Sequence, residues 1–240
     1  MRVSLITVGD ELLAGDVENT NATWLARRLT ERGTEVREIV VLPDEVDRVA
    51  TEVRWHGERF DRVLVTGGLG STPDDVTVEG IADGLGREVG RHERTNQLVT
   101  AAVEEIHEEY PDFEFDVERA SLRPEGSEVI ENEVGIAPGF LVENVYVLPG
   151  IPREMHPMFE RIADEFEGAM HVRSLYSTQP ESHLNEMLTR VAEEFDVSVG
   201  CYPGENNERK RITVRSTDRG DVDDAHEWLA ARPETEPDGT

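Results

Sequence analysis

Short apolar runs and segments of helical period alternate along the first 170 residues of the chain. Residues 3–8, 36–42 and 63–65 are runs of strand length, and each is followed by apolar residues at spacings of three and four. Buried strands that alternate with amphipathic helices are typical of a mostly parallel sheet with helices on both faces. The pattern therefore predicts a three-layer α/β/α domain over residues 1–170.

The pattern changes in the second half of this region and again beyond it. Short strands are predicted at 129–130, 140–142 and 145–148, with a hairpin turn at 143–144 and an amphipathic helix after it. From residue 171 the order restarts as strand, helix, strand, strand and helix, which predicts a small α+β appendage over 171–231. The last residues, 232–240, are rich in Pro, Glu and Asp, and are predicted to be disordered.

The charge of the chain restricts its partners. Asp and Glu number 52 against 24 Lys and Arg, which gives a formal net charge of −28, and Lys210 is the only lysine. Such a surface excludes nucleic acid and anionic membranes as expected partners. Acidity spread over the whole chain, with so little lysine, predicts a protein adapted to concentrated salt; the alternative is an acidic mesophilic protein with solvated charged faces.

Cysteine content and hydropathy narrow the class of protein further. Cys201 is the only cysteine, so an intrachain disulfide and a cysteine-based zinc site are both excluded. The chain starts directly with a strand pattern and carries no long apolar span, so a cytoplasmic location is expected.

A glycine-rich segment, TGGLGSTPDD at 66–75, follows the third predicted strand. Ligands of such sheets bind at the carboxyl ends of the strands, and glycine lets backbone N–H groups face an anion. Two familiar phosphate motifs do not fit, because Ser71 replaces the lysine of a P-loop and Pro73 replaces the third glycine of a dinucleotide fingerprint. The segment predicts an anion-binding loop of another kind.

Carboxylates follow all three of these strands. Asp10 and Glu11 follow the first, Asp44 follows the second, and Asp75 closes the glycine segment. Their convergence at one edge of the sheet predicts a divalent cation that bridges a pyrophosphate. The alternative is that the acids cap helices: Thr72 fits an N-cap, with proline at the first helical position and Asp75 in a capping box.

Five motifs in register resemble the molybdopterin-binding-fold domain of the CinA competence/damage-inducible proteins. The resemblance covers residues 1–170, and the region after it resembles, more weakly, the small subdomain that follows in CinA proteins. The family usually has proline where this chain has Ser71. The motifs are VGDELLAG (8–15), NTNATWLARRL (19–29), TGGLGSTPDDVT (66–77), VGIAPGF (134–140) and LPGIPREM (148–155).

The resemblance implies a MogA-like fold, which molybdopterin adenylyltransferases share, and a metal-dependent pyrophosphatase activity on ADP-ribose. By motif match, Asp44 and Asp75 would be catalytic, and Asp10, Glu11 and Asp75 would hold Mg, Mn or Co. The phosphate or nucleotide would be bound by Thr66, Gly67, Gly68, Gly70, Ser71, Thr72, Pro138, Gly139, Pro149 and Gly150. The last four residues have an alternative interpretation as ordinary turns.

Two other functions stay open on the sequence. One is adenylyl transfer from ATP to molybdopterin, and the other is a module that binds a pterin or nucleotide without turning it over. The family resemblance also implies a homo-oligomer with a small nucleotide or pterin ligand. Because the sequence stops before the amidase domain of full-length CinA proteins, no deamidase activity is expected.

Overall fold

The structure is a computed structural model that describes residues 1–203 and 209–236. The chain divides into two compact units, one formed by Met1–Leu29 with Glu35–Glu167 and one by Thr30–Thr34 with the residues from Gly168 onward. The strands of the described part are β1 (Arg2–Val8), β2 (Glu35–Leu42), β3 (Arg62–Thr66), β4 (Val89–Arg91), β5 (Leu122–Pro124), β6 (Glu128–Ile130), β7 (Gly139–Val142), β8 (Val145–Leu148), β9 (His171–Ser177), β10 (Ser198–Tyr202) and β11 (Lys210–Ser216). Its α-helices are α1 (Asp10–Ala14), α2 (Thr20–Glu31), α3 (Val46–Gly57), α4 (Thr77–Leu85), α5 (Glu93–Glu109), α6 (Val117–Ala120), α7 (Pro152–Ile162), α8 (Glu181–Phe195) and α9 (Arg219–Ala230).

A six-stranded sheet organises the first unit, with the strand order β2-β1-β3-β8-β7-β6. The pairs β1–β2, β1–β3 and β3–β8 are parallel, whereas β7–β8 and β6–β7 are antiparallel. This confirms the predicted mostly parallel α/β sheet and its hairpin. The parallel strands β1, β2, β3 and β8 therefore end at the same edge.

Alternation along the central strands separates two hydrophobic layers. In β1, Ile6 and Val8 point to the layer that holds residues of α3 and α4, while Val3 and Leu5 point to the layer that holds residues of α2 and α7. Side chains on a strand alternate between faces, so a strand covered on both sides is apolar throughout. The predicted three-layer arrangement agrees with β1, whose residues from Val3 to Val8 are all buried.

Four short elements of this unit are absent from the sequence predictions. The helix α1 follows β1, α6 lies between α5 and β5, and β4 pairs with β5 as a separate antiparallel ribbon. Elements of three to five residues contain too few positions to show a period.

The second unit contains an antiparallel sheet, β10-β11-β9, packed against α8 and α9 around a core that includes Leu175, Leu184 and Ile212. The predicted order of strand, helix, strand, strand and helix is confirmed. The predicted disorder is wrong for residues 232–236, because Tyr176 and Glu236 exchange backbone hydrogen bonds of 2.8 and 2.7 Å. Since β9 is an edge strand, its unpaired backbone groups bind this segment despite its polar composition. Residues 237–240 lie outside the described part.

In the part of the chain that the structure describes, no helix is both long enough and apolar enough to cross a membrane.

Candidate functional site

A cavity of about 560 Å³ opens at the carboxyl ends of the four parallel strands of the first unit. Segments after β1, β2, β3 and β8 all contribute to its wall. The strand order places β1 between β2 and β3, so the cavity lies where successive connections leave the sheet in opposite directions, the usual ligand position in such folds. The predicted site residues on its wall are Glu11, Asp44, Thr66, Gly67, Gly68, Gly70, Asp75, Pro149 and Gly150.

The glycine loop comes within contact distance of the end of β1. Gly67 has a φ of 102°, and a Cβ at this position would lie 2.2 Å from the carbonyl oxygen of Val8. Gly68 follows with a φ of 63°. The backbone N–H groups of Gly68 and Leu69 have no hydrogen-bond acceptor among the described residues. The loop therefore has two backbone N–H donors that no described residue uses, and anion binding by this loop stays a prediction.

Asp75 holds this loop closed. Its Oδ1 accepts a hydrogen bond of 2.7 Å from the N–H of Gly70, and its Oδ2 accepts bonds of 2.9 and 2.6 Å from the N–H and hydroxyl of Thr72. The capping-box hypothesis is wrong, because α4 begins at Thr77 and its N-cap is Val76. The loop amides lie closer to the carboxylate than those of the helix, and they take both of its oxygens.

A reciprocal contact between Asp10 and Asp44 ties the ends of β1 and β2 together. The Asp10 N–H donates to Asp44 Oδ2 at 2.9 Å, and the Asp44 N–H donates to Asp10 Oδ1 at 3.4 Å. Burial raises the pKa of Asp44, and the negative charges of Asp10, Glu11 and Asp74 raise it further, against the lowering effect of the Asp10 N–H. Asp44 thus lies in a concentration of negative charge that a cation would relieve.

The structure does not assemble the three predicted metal ligands into one group. Asp10 is exposed and does not line the cavity, Glu11 does line it, and Asp75 is committed to the loop. Among the described residues, no cluster of three or more His, Cys, Asp or Glu side chains could hold a metal ion. The chemistry of the donors still fits magnesium, which proteins usually bind through one or two carboxylates together with substrate phosphates.

The two predicted Pro-Gly pairs, for which ordinary turns are the alternative, differ in their relation to the cavity. Pro149 and Gly150 line the cavity, and a Cβ on Gly150 would lie 3.3 Å from the Cα of Gly67. Pro138 and Gly139 lie behind the wall: the Pro138 carbonyl accepts a hydrogen bond of 2.7 Å from Arg123, and Gly139 begins β7. Ser71 and Thr72 also lie off the cavity wall.

Arg123 is a buried cation that the sequence reasoning missed. Its guanidinium donates to the carbonyls of Ala120, Leu122 and Pro138, and no described carboxylate forms an ion pair with it. Burial lowers its pKa to about 10, so it stays protonated at neutral pH. It lines a small second cavity behind the glycine loop, where its positive charge favours an anion on the loop.

Two polar residues of the motif at 19–29 also reach the large cavity. Asn19 caps α2, accepting from the Ala22 N–H at 3.1 Å, and donates to the Thr7 hydroxyl at 2.9 Å. Asn21 donates to the Gly150 carbonyl at 2.6 Å. The two asparagines of the NTN segment are visible in the sequence as a possible signal. Their hydrogen-bond partners, Thr7 and Gly150, cannot be read from the sequence.

Comparisons with known proteins agree with this architecture. Residues 4–167 match the family described as "Probable molybdopterin binding domain", and residues 169–236 match "FAD synthase, middle domain". The crystal structure of CinA from Thermoplasma acidophilum, described as a protein with unknown function, is 32% identical with a TM-score of 0.61 over 69% of this chain and 99% of that one. The chain belongs to the CinA-like molybdopterin-binding-domain family.

Two sequence relatives extend the comparison. A protein of Archaeoglobus fulgidus is 42% identical over 205 residues, which cover 85% of this chain and 86% of that protein. A CinA-like protein of Frankia casuarinae is 32% identical over 98% of this chain but only 58% of its own length. The CinA-like resemblance drawn from the five motifs is therefore confirmed.

Proposed function

We propose that this CinA-like protein hydrolyses the pyrophosphate linkage of a nucleotide, ADP-ribose or a related dinucleotide, and requires a divalent metal. The observation that carries the proposal is one cavity lined by two complementary kinds of group. Gly68 and Leu69, whose N–H groups have no acceptor among the described residues, line it together with Asp44, whose pKa is raised. Hydrogen-bond donors bind the phosphates, and a carboxylate of raised pKa is suited to accept a proton from water.

The residues take separate roles in this reaction. The N–H groups of Gly68 and Leu69 orient the phosphates and stabilise the charge that develops on them. Asp44 is the proton acceptor, and Glu11 is the carboxylate on the cavity wall that would hold the metal together with the substrate phosphates. When bound, the metal neutralises phosphate charge and lowers the pKa of water. Asp75 acts by keeping the loop in shape.

The proposed bond changes are those of a simple hydrolysis. Asp44 accepts a proton as a water oxygen bonds to one phosphorus, and the bridging bond between the two phosphoryl groups breaks. The leaving phosphate takes the electron pair. ADP-ribose plus water would thereby give AMP and ribose 5-phosphate, and the proton on Asp44 would return to solvent.

The assay measures AMP release from ADP-ribose by chromatography, with magnesium, manganese or cobalt in turn. Molar KCl is used because the composition of the chain predicts adaptation to concentrated salt. This adaptation, a cytoplasmic location and a homo-oligomer all remain predictions. Asp44→Asn removes the proton acceptor, and Asp75→Asn removes one of the loop's acceptor oxygens; both are expected to abolish release. Asp83→Asn, an exposed acid on α4, is the matched control and is expected to keep full activity.

The outcomes separate the candidate functions. Metal-dependent AMP release that Asp44→Asn abolishes supports the pyrophosphatase. Folded protein that releases no AMP with any metal would overturn the proposal for this substrate. Adenylation of molybdopterin by ATP would then be assayed, and binding without turnover would identify a carrier module.

A further inference from the structure

A buried carboxylate on α7, Glu154, forms part of the cavity wall outside the proposed catalytic residues. Only 5% of this residue is exposed, although it lines the cavity. Its Oε2 accepts a hydrogen bond of 2.8 Å from Asn132 Nδ2. Its Oε1 has no hydrogen-bond partner among the described residues. Because Glu154 lines the cavity, this oxygen can accept a hydrogen bond from a ligand there, and a ligand that lacks a donor would leave it unpaired.

The neighbouring segment links Glu154 to an apolar wall. Asn132 Nδ2 also donates to the Ala137 carbonyl at 3.0 Å, and a Cβ on Gly135 would lie 2.0 Å from Glu154 Oε2. Ile136, which lies between Gly135 and Ala137 in the sequence, packs in the hydrophobic cluster that includes Phe115. Phe115, Ile136 and Ala137 all line the cavity. An aromatic ring and an acceptor oxygen therefore lie on the wall of the same cavity.

This pair of features suits the base of a nucleotide and not its phosphates. A carboxylate repels phosphate, so Glu154 is suited to a part of the ligand other than its phosphates. An aromatic side chain stacks on planar rings, and a carboxylate accepts hydrogen bonds from amino groups.

We propose that Glu154 determines base specificity by accepting a hydrogen bond from the exocyclic amino group of a purine that stacks on Phe115. This rests on the nucleotide ligand of the proposed function but not on hydrolysis. Adenine carries its exocyclic amino group on C6 and guanine carries its own on C2, and the binding experiment distinguishes the two bases.

The experiment measures the dissociation constants of three nucleotides by calorimetry: ADP, GDP and purine riboside 5′-diphosphate, which has no exocyclic amino group. A hydrogen bond to a charged group discriminates by roughly 10- to 100-fold. The wild-type protein should therefore bind ADP or GDP at least tenfold more tightly than the third nucleotide, and the tighter of the two identifies the base.

The decisive variant is Glu154→Gln. Because the Asn132 amide selects the oxygen of the new side chain, the amide nitrogen would replace Oε1 and present a donor to the amino group. The preference over purine riboside diphosphate should fall to about one. Phe115→Leu should weaken the binding of all three nucleotides by the same factor, so the ratios of their dissociation constants should not change. Glu160→Gln, the same substitution in an exposed residue of α7, is the control and should keep the wild-type ratio.

Two results would overturn the proposal: a wild-type protein that binds all three nucleotides equally or not at all, and a folded Glu154→Gln variant that keeps the preference. Base-selective binding without AMP release would leave this proposal intact and reject the hydrolase. AMP release together with an unchanged nucleotide preference in Glu154→Gln would support the hydrolase and reject the role of Glu154.

Discussion

Replacing Gly67 by alanine tests whether the glycine loop depends on a close approach of two backbones. Gly67 has a φ of 102°, and the added Cβ would lie 2.2 Å from the Val8 carbonyl oxygen. That oxygen belongs to β1, which is paired with strands on both sides. The carbonyl therefore cannot move without disturbing the centre of the sheet.

Two costs contribute to the expected loss of stability. A left-handed backbone conformation costs a residue with a Cβ about 1–2 kcal/mol. Forcing an atom into a packed region costs about 1–3 kcal/mol more. Gly67→Ala should therefore lower the free energy of unfolding by about 2–5 kcal/mol. Gly86→Ala is the matched control, since Gly86 has a φ of 64° with nothing within 4 Å of a Cβ, and only the first cost applies.

Urea denaturation of both variants in molar KCl gives the two free energies directly. Gly67→Ala should unfold at a clearly lower urea concentration than Gly86→Ala, and any folded fraction should bind ADP more weakly than the wild-type protein does. If the two variants are equally stable, the approach of the loop to β1 does not constrain residue 67 and the reasoning is refuted.

Two further predictions concern other parts of the fold. Burial lowers the pKa of His56 below its usual 6.5, against the raising effect of Glu38 and Glu52, so the unfolded chain binds protons more readily than the folded chain as pH falls below 6.5. Stability should then decline between about pH 7 and pH 5, and His56→Phe should reduce that decline in urea titrations; an unchanged pH dependence would contradict the buried neutral histidine. In the second unit, Asp196 ends α8 with a φ of 52°, so Asp196→Gly should raise the melting temperature by relieving about 1 kcal/mol of strain. Glu193→Gly, inside the same helix, should lower it by a similar amount, and a lower melting temperature in both variants would refute the assignment.

Much of the first unit can be predicted from the sequence because its signals are local. The largely apolar β1 and the three-and-four spacing of α2 and α7 each follow from the period of one element. The glycine loop is placed by its position directly after β3, since parallel strands present their carboxyl ends at one edge. These local signals also carry the family motifs.

The tertiary structure decided which partner each polar group takes. By spacing alone, Asp75 fits a helix cap. In the fold, its carboxylate instead accepts hydrogen bonds from the N–H groups of Gly70 and Thr72. The segment before the carboxyl end is polar, yet the free edge of β9 orders it through Glu236. Asn132 and Glu154 are 22 residues apart in sequence and meet only in the folded cavity. Sequence period determines the elements because it is local, whereas hydrogen-bond partners are settled by competition among groups that only the fold brings together.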